Sequence, residues 1–156
     1  KEVEYVIFYT YKMHKFLKLA ESFGREHTYD QGLEYNLCAV LVKSGKPISV
    51  GFNNRATNQF VEHYANLARG KRDYCLSTHA EMDAVLKARN STDLRGCKIY
   101  VARLLKLGGV ANSRPCPICQ DVLKNYGIKR AIYTLTDTEY GVMKPQNLSK
   151  DIIVRQ

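Results

Sequence analysis

The order of apolar segments along the chain predicts a sheet covered by helices, in the α/β class. Three observations support this prediction. Short apolar runs alternate with segments of helical periodicity, turn-forming residues separate them, and no repeat or low-complexity stretch interrupts the pattern. The chain has 156 residues, of which 45% are hydrophobic and 25% charged, so we expect one globular domain over residues 1–156.

The first third of the chain is predicted to form one helix and one hairpin. Apolar residues at helical spacing indicate a helix over 11–26. Continuous apolar runs over 37–42 and 48–52, separated by the turn signal Ser44-Gly45, indicate a β-hairpin with buried strands. The polar and aromatic segment 53–77 is predicted to be a loop with room for one short helix.

Two further helices are predicted, each after a loop. They cover residues 79–89 and 116–126. Thr78 is the expected cap of the first helix. Pro117 suits the first turn of the second helix, where its missing N–H costs nothing, and Gly127 is expected to end it.

Apolar segments at 98–105 and 128–135 are predicted to be strands that alternate with these helices. The sequence Asp137-Thr138-Glu139 could turn the last strand into a short antiparallel partner over 140–143. The predicted order is therefore helix, two strands, loop, helix, strand, helix and two strands.

Charge and cysteine content narrow the function classes. Lys and Arg total 24 against 15 Asp and Glu, and a net charge of +9 favours anionic partners such as nucleotides, nucleic acid or a membrane surface, although solvated surface lysines explain it equally well. An odd count of five cysteines argues against a secreted disulfide scaffold. With no apolar stretch near the roughly 20 residues of a membrane span, we expect a cytoplasmic protein without a membrane partner.

The predicted starts of the last two helices carry residues that bind transition metals. Their sequences are Thr78-His79-Ala80-Glu81 and Pro115-Cys116-Pro117-Ile118-Cys119. Two thiols three residues apart lie on one side of a helical turn, and a helix N-terminus favours the thiolate that a metal requires. With His79 as third ligand, Cys116 and Cys119 would leave the fourth position of a tetrahedral Zn²⁺ open for water, as in catalytic zinc sites.

Glu81 would then lie beside that water without binding the ion. A carboxylate in this place can accept the water proton and transfer it to a substrate nitrogen, which is the chemistry of hydrolytic deamination. The competing interpretation is a capping box, in which Glu81 bonds the N–H of Thr78.

Other interpretations of the cysteine pair remain open. Cys116 and Cys119 could be a redox pair, or half of a structural zinc site completed by Cys75 or His63. A protein that keeps the fold and the zinc without catalysis is a further alternative, although a structural zinc needs no carboxylate such as Glu81.

Together, the two helix starts resemble the zinc-dependent cytidine/deoxycytidylate deaminase superfamily, and the order of elements over residues 37–135 is similar to that family. The resemblance implies a cytidine-deaminase-like three-layer α/β fold with a mixed central sheet of about five strands flanked by helices. It also implies a Zn²⁺ cofactor and a homo-oligomer. Asn53 would hold the sugar or base of the substrate, and Ala80 would be a further substrate contact.

Tyr74-Cys75 before the His-Ala-Glu helix is similar to the deoxycytidylate type, so the favoured substrate is a free cytosine nucleoside or nucleotide. Three departures keep the branch open: Arg114 stands where the tRNA-adenosine and guanine branches carry Glu, the loop 107–114 is long, and no helical pattern follows Leu135. The alternatives are a base within single-stranded DNA or RNA and a free purine base.

Several residues near the predicted pocket mouth could contact the substrate. One or two members of a basic group could meet a substrate phosphate, Arg114 is the member preferred as a substrate contact, and solvated rim charge is the equal alternative for the whole group. The group is Arg55, Arg103, Lys106 and Arg114. Phe52 and Tyr140 could stack on a base or could pack in the core.

Overall fold

The computed structural model describes residues 4–8, 14–67 and 77–146. Tyr74, Cys75 and the basic residues of segment 68–76 lie outside the described residues. In chain order the elements are β1 (Tyr5–Phe8), α1 (Lys15–Glu26), β2 (Asn36–Lys43), β3 (Lys46–Phe52), α2 (Gln59–Leu67), α3 (Ala80–Ala88), β4 (Lys98–Leu104), β5 (Val110–Ala111), α4 (Pro117–Asn125), β6 (Arg130–Thr134) and β7 (Glu139–Met143).

The strands form one mixed sheet in the order β1-β7-β6-β4-β2-β3, and β5 pairs with β4 beside this path. β4 and β6 are parallel, and the other pairs are antiparallel. The predicted α/β class, the hairpin β2–β3 and the antiparallel return of β7 along β6 are confirmed. β1 and the two-residue β5 add to the five predicted strands, and α2 lies within the predicted loop 53–77.

Helices cover both faces of the sheet, which confirms the predicted three layers. On one face, α3 and α4 pack against side chains that include Ala39, Leu41 and Val101. On the other face, α1 packs against a separate cluster that includes Cys38 and Val40. Successive residues of β2 therefore serve opposite faces, as the pleat of a strand requires.

Phe52 and Tyr140 both pack in the cluster on the α1 face. Phe52 stacks on His27 at a centroid distance of 3.7 Å. Since the helix starts with the candidate ligands belong to α3 and α4 on the opposite face, the core interpretation of these two rings is the one that their packing supports.

Gly51 brings α3 directly onto the sheet. A Cβ at this position would collide with the carbonyl oxygen of Ala80 and the amide nitrogen of Ala84. Only glycine allows the backbones of β3 and α3 to approach this closely. The start of α3, with His79 as its N-cap, is thereby held against the end of β3.

The part of the chain that the structure describes holds no helix with the length and apolar character needed to cross a bilayer.

Candidate functional site

His79, Cys116 and Cys119 meet at the N-termini of α3 and α4. Their potential ligand atoms all lie within 4.8 Å of one another, and no other such group of His, Cys, Asp or Glu occurs among the described residues. His79 Nδ1 lies 3.6 Å from Cys116 Sγ and 3.3 Å from Cys119 Sγ. Bond lengths of about 2.3 Å to sulfur and 2.0 Å to nitrogen put tetrahedral N···S edges near 3.5 Å. The donor set and its spacing therefore fit Zn²⁺.

The segment before α3 is tied to the segment that follows β3. Thr78 forms an antiparallel bridge with Asn54, and the backbone N–H of Asn54 donates to the carbonyl of Thr78 at 3.0 Å. The Thr78 hydroxyl donates to the carbonyl of Ala56 at 2.7 Å. These bonds place His79 at the sheet edge by fixing the residue before it.

The predicted cap of α3 is wrong by one residue. His79 is the N-cap, and Thr78 precedes it with its hydroxyl bonded to Ala56. Glu81 is consequently the second helical residue, so it lacks the position from which a capping-box glutamate bonds the cap residue's N–H. The structure therefore contradicts the capping-box interpretation of Thr78 and Glu81.

The cysteine pair is organised by the start of α4. Cys116 is the N-cap, and its Sγ accepts from the backbone N–H of Cys119 at 3.5 Å. Pro117 occupies the first turn, and Gly127 follows the helix with a φ of 76°, as predicted. A hydrogen bond from the Cys119 thiol, reinforced by His79, lowers the pKa of the Cys116 thiol. The lowered pKa favours the thiolate form of Cys116, which is the form that binds a metal.

Glu81 lies beside this group without belonging to it. Its side chain is 4% exposed, and burial raises its pKa from 4.5 to about 7, while the nearby imidazole of His79 acts in the opposite direction. A carboxyl group with a pKa near neutral pH can both accept and donate a proton. The arrangement can thus bind a metal through three side chains and transfer protons through a fourth.

His63 does not join the site. It is exposed on α2 and lies outside the three-residue group. The alternative of a structural zinc site completed by His63 is therefore wrong. Cys75, the other candidate for the fourth ligand, lies outside the described residues. Cys38 and Cys97 are fully buried thiols in the two core clusters.

Asn53 lies where β3 ends, next to the start of β2. Its Oδ1 accepts from the N–H of Leu37 at 2.8 Å, and its Nδ2 donates to the carbonyl of Tyr35 at 2.7 Å. An amide group with these two bonds retains one N–H and one lone pair. The side chain is half-buried, so these groups are oriented and remain accessible.

The other two predicted substrate contacts differ in their surroundings. Ala80 is buried as the first residue of α3, directly beside His79 and Glu81. Arg114 is exposed and forms a bidentate ion pair with Glu4, with N···O distances between 2.8 and 3.1 Å. The Tyr133 hydroxyl also donates to Glu4. The guanidinium of Arg114 is therefore occupied by an ion pair within the protein.

Sequence reasoning did not identify Tyr35, whose ring lies under the guanidinium of Arg103. The sequence carries no local signal for this pair, because it depends on the register between β2 and β4.

Comparison with known proteins identifies the relatives of this chain. Residues 10–135 match the family model described as the cytidine and deoxycytidylate deaminase zinc-binding region. The deoxycytidylate deaminase of Homo sapiens is 27% identical over 112 residues, which cover 69% of this chain and 56% of that protein. The enzyme of Pongo abelii is 26% identical over the same shares. The chain thus spans little more than half the length of these curated relatives.

Solved structures show the same fold. The dCMP deaminase of cyanophage S-TIM5, solved with dCMP and dUMP, has a TM-score of 0.51 and 19% identity, covering 90% of this chain and 88% of that one. Cytidine deaminase from Burkholderia pseudomallei has a TM-score of 0.58 and 18% identity, with 90% and 94% coverage. The cytidine-deaminase-like fold is confirmed, and the zinc-binding family model confirms the predicted Zn²⁺ cofactor.

Proposed function

The chain belongs to the cytidine and deoxycytidylate deaminase family, and from this premise we propose that it hydrolyses the amino group from a free cytosine nucleoside or nucleotide, giving the uracil product and ammonia. As a member of this family it is a zinc-dependent hydrolytic deaminase. One observation supports the catalytic assignment above all: a buried carboxyl group, Glu81, lies beside a group of three metal donors and outside it.

We assign the metal ligands to His79, Cys116 and Cys119. When bound there, Zn²⁺ would lower the pKa of water from about 15.7 to near 7 and so supply a nucleophile at neutral pH. The lowered pKa of the Cys116 thiol favours metal binding, since ligands must be deprotonated.

Glu81 is the proposed proton carrier. Its carboxylate accepts the proton of the attacking water and delivers it to the ring nitrogen of cytosine, while the water oxygen bonds to C4. Glu81 then takes the proton of the hydroxyl group now on C4 and passes it to the amino group; the C4–N bond breaks as the C4 carbonyl forms, and ammonia leaves. Burial excludes water around this carboxyl group, so protons lost to bulk solvent do not compete with the transfer.

Asn53 and Ala80 are the proposed substrate contacts within the pocket. The remaining N–H and lone pair of Asn53 suit a sugar hydroxyl, which can donate and accept. The backbone of Ala80 lies at the start of α3, where N–H groups lack intrahelical partners. For Arg114 we keep the proposed substrate contact, for which the guanidinium must leave Glu4.

The ammonia released by the zinc-loaded protein tests this proposal. The panel contains cytosine, cytidine, deoxycytidine, their mono- and triphosphates, adenine, guanine and short single-stranded oligonucleotides. We expect turnover of a free cytosine nucleoside or nucleotide and a loss of about 10²–10⁴-fold for Glu81→Gln with zinc retained. Near-normal ammonia release by Glu81→Gln would refute the role of this residue.

The second candidate is a base within single-stranded nucleic acid, which the net charge of +9 favours. Binding that neutralises several phosphates weakens steeply with added salt, whereas a mononucleotide responds weakly. Turnover confined to the oligonucleotides, with steep salt dependence, would therefore replace our proposal by this one. The homo-oligomer remains a prediction. The cytoplasmic location also remains a prediction, which the odd number of cysteines favours because thiols stay reduced in that compartment.

A further inference from the structure

Arg103 and Tyr35 form a stacked pair where β4 ends and β2 begins. The guanidinium carbon of Arg103 lies 3.9 Å from the centroid of the Tyr35 ring. Arg103 is opposite Leu37 in the pairing of β2 with β4, which makes Tyr35 its diagonal neighbour on the same face. The Tyr35 ring is 42% exposed, so the stacked pair is open to solvent.

The pair lies on the same face of the sheet, and at the same end of its strands, as the metal donors. Val101, two residues before Arg103, packs in the cluster that contains Cys119 and Ala80. The backbone N–H of Arg103 donates to the Thr134 hydroxyl at 3.2 Å. That hydroxyl lies 2.8 Å from the hydroxyl of Ser113, in the segment that leads into α4. Arg103 therefore belongs to the strand end over which Cys116 and Cys119 are placed.

Asn53 links the pair to the pocket. Its Nδ2 donates to the backbone carbonyl of Tyr35, so the side chain expected to contact the sugar also binds the residue that carries the aromatic ring. Exposure increases outward in the same order: Glu81 and Cys119 are buried, Asn53 and Arg103 are half-buried, and Tyr35 is exposed. A substrate with its base at the metal and its sugar at Asn53 would direct a 5′ substituent toward the pair.

Among the arginines predicted at the pocket mouth, Arg103 is the one whose donors are uncommitted. Arg114 is paired with Glu4, and a guanidinium nitrogen of Arg55 donates to the carbonyl of Gln31 at 2.9 Å. The guanidinium of Arg103 makes no hydrogen bond to the residues that the structure describes. Stacking through its face leaves the N–H groups in its plane available, and this edge suits two phosphate oxygens.

We infer that Arg103, held over Tyr35, binds the 5′-phosphate of the substrate, so that the enzyme prefers a nucleoside monophosphate to the nucleoside. The inference rests on the proposed function. Among the four basic residues expected at the pocket mouth, it assigns the phosphate to Arg103.

Steady-state kinetics with dCMP, CMP and the two nucleosides test the inference. Arg103→Gln should lower kcat/KM for the preferred monophosphate by about 10- to 100-fold, mainly through KM, and leave the nucleoside unchanged. Arg103→Lys should recover only part of the loss, because a lysine keeps the charge without the planar pair of donors.

The tyrosine variants test the support of Arg103. Tyr35→Phe keeps the ring and should be close to wild type, whereas Tyr35→Leu should raise KM for the monophosphate. Lys98→Gln is the control, because it removes one positive charge at the opposite end of β4. It should leave kcat/KM unchanged for both the monophosphate and the nucleoside.

The outcomes separate this inference from the proposed function. An equal loss for nucleoside and monophosphate, or no loss, would overturn the role of Arg103, as would a loss confined to single-stranded oligonucleotides. If the wild-type protein deaminates none of these compounds, the proposed function fails. Equilibrium binding of dCMP to the zinc-loaded wild type and Arg103→Gln then decides the inference, since equal Kd values would overturn it and a Kd raised 10- to 100-fold would support it.

Discussion

Glu81→Gln should stabilise the metal-free protein above neutral pH while it removes the proposed proton carrier. The Glu81 side chain is 4% exposed, and burial raises its pKa from 4.5 to about 7. Each unit of pKa difference between the folded and unfolded states corresponds to about 1.4 kcal/mol. Ionisation of Glu81 therefore costs the folded protein about 3 kcal/mol, and a neutral glutamine does not carry this cost.

The sign of the pH dependence follows from the direction of the pKa shift. Because the folded-state pKa lies above the unfolded one, the contribution of Glu81 is most favourable below about pH 4.5. It declines as the pH rises from 4.5 to 7 and is constant above that. The difference in the free energy of unfolding between Glu81→Gln and wild type should be near zero at pH 4.5 and reach about 3 kcal/mol at pH 8.

Urea denaturation of the reduced, chelator-treated proteins between pH 4.5 and 8.5 measures this difference. Glu62→Gln, which changes an exposed carboxylate on α2, is the control and should leave the free energy of unfolding unchanged. Zinc should reduce the difference, since a bound cation favours the charged carboxylate. A difference that is the same at pH 4.5 and pH 8 would refute the reasoning that burial governs this group.

Three further substitutions test the site and its support. Cys116→Ser should release zinc and lower Tm, whereas Cys38→Ser, in the cluster on the other face, should retain it; unchanged zinc by elemental analysis would count against ligation by Cys116. Asn53→Ala leaves the N–H of Leu37 without its acceptor and should cost about 1–3 kcal/mol in urea unfolding besides raising KM; wild-type kinetics would remove Asn53 from the pocket. Gly51→Ala should cost about 1–3 kcal/mol and reduce turnover, because α3 must move away from β3; unaltered kcat would show that the position of His79 tolerates this shift.

The metal group could be predicted because the residues that form it follow local rules. Spacing of three places Cys116 and Cys119 on one helical turn, and both ligand-bearing segments begin helices. The hairpin β2–β3 was equally accessible, since its strands and the Ser44-Gly45 turn are adjacent in sequence. These features depend on periodicity and turn chemistry within a few residues.

Features that depend on contacts between distant segments of the chain were either not predicted or predicted at the wrong residue. β1 was not predicted, because its partner β7 lies more than 130 residues away along the chain. The cap of α3 moved from Thr78 to His79 because Ala56, on another segment, binds the Thr78 hydroxyl. Arg114 was expected to contact the substrate because sequence patterns do not show that Glu4 lies beside it.

The amino-acid sequence by itself determined the helix-covered sheet, the residue types of the proposed zinc ligands and the carboxylate beside them, because helical and strand periods express the preferences of neighbouring residues. The tertiary structure decided which arginine side chains form ion pairs within the protein and which remain available to a ligand at the pocket mouth. Strand register places Tyr35 under Arg103, and chain folding places Glu4 against Arg114. Both contacts join residues separated by at least one complete strand, so no local pattern encodes them.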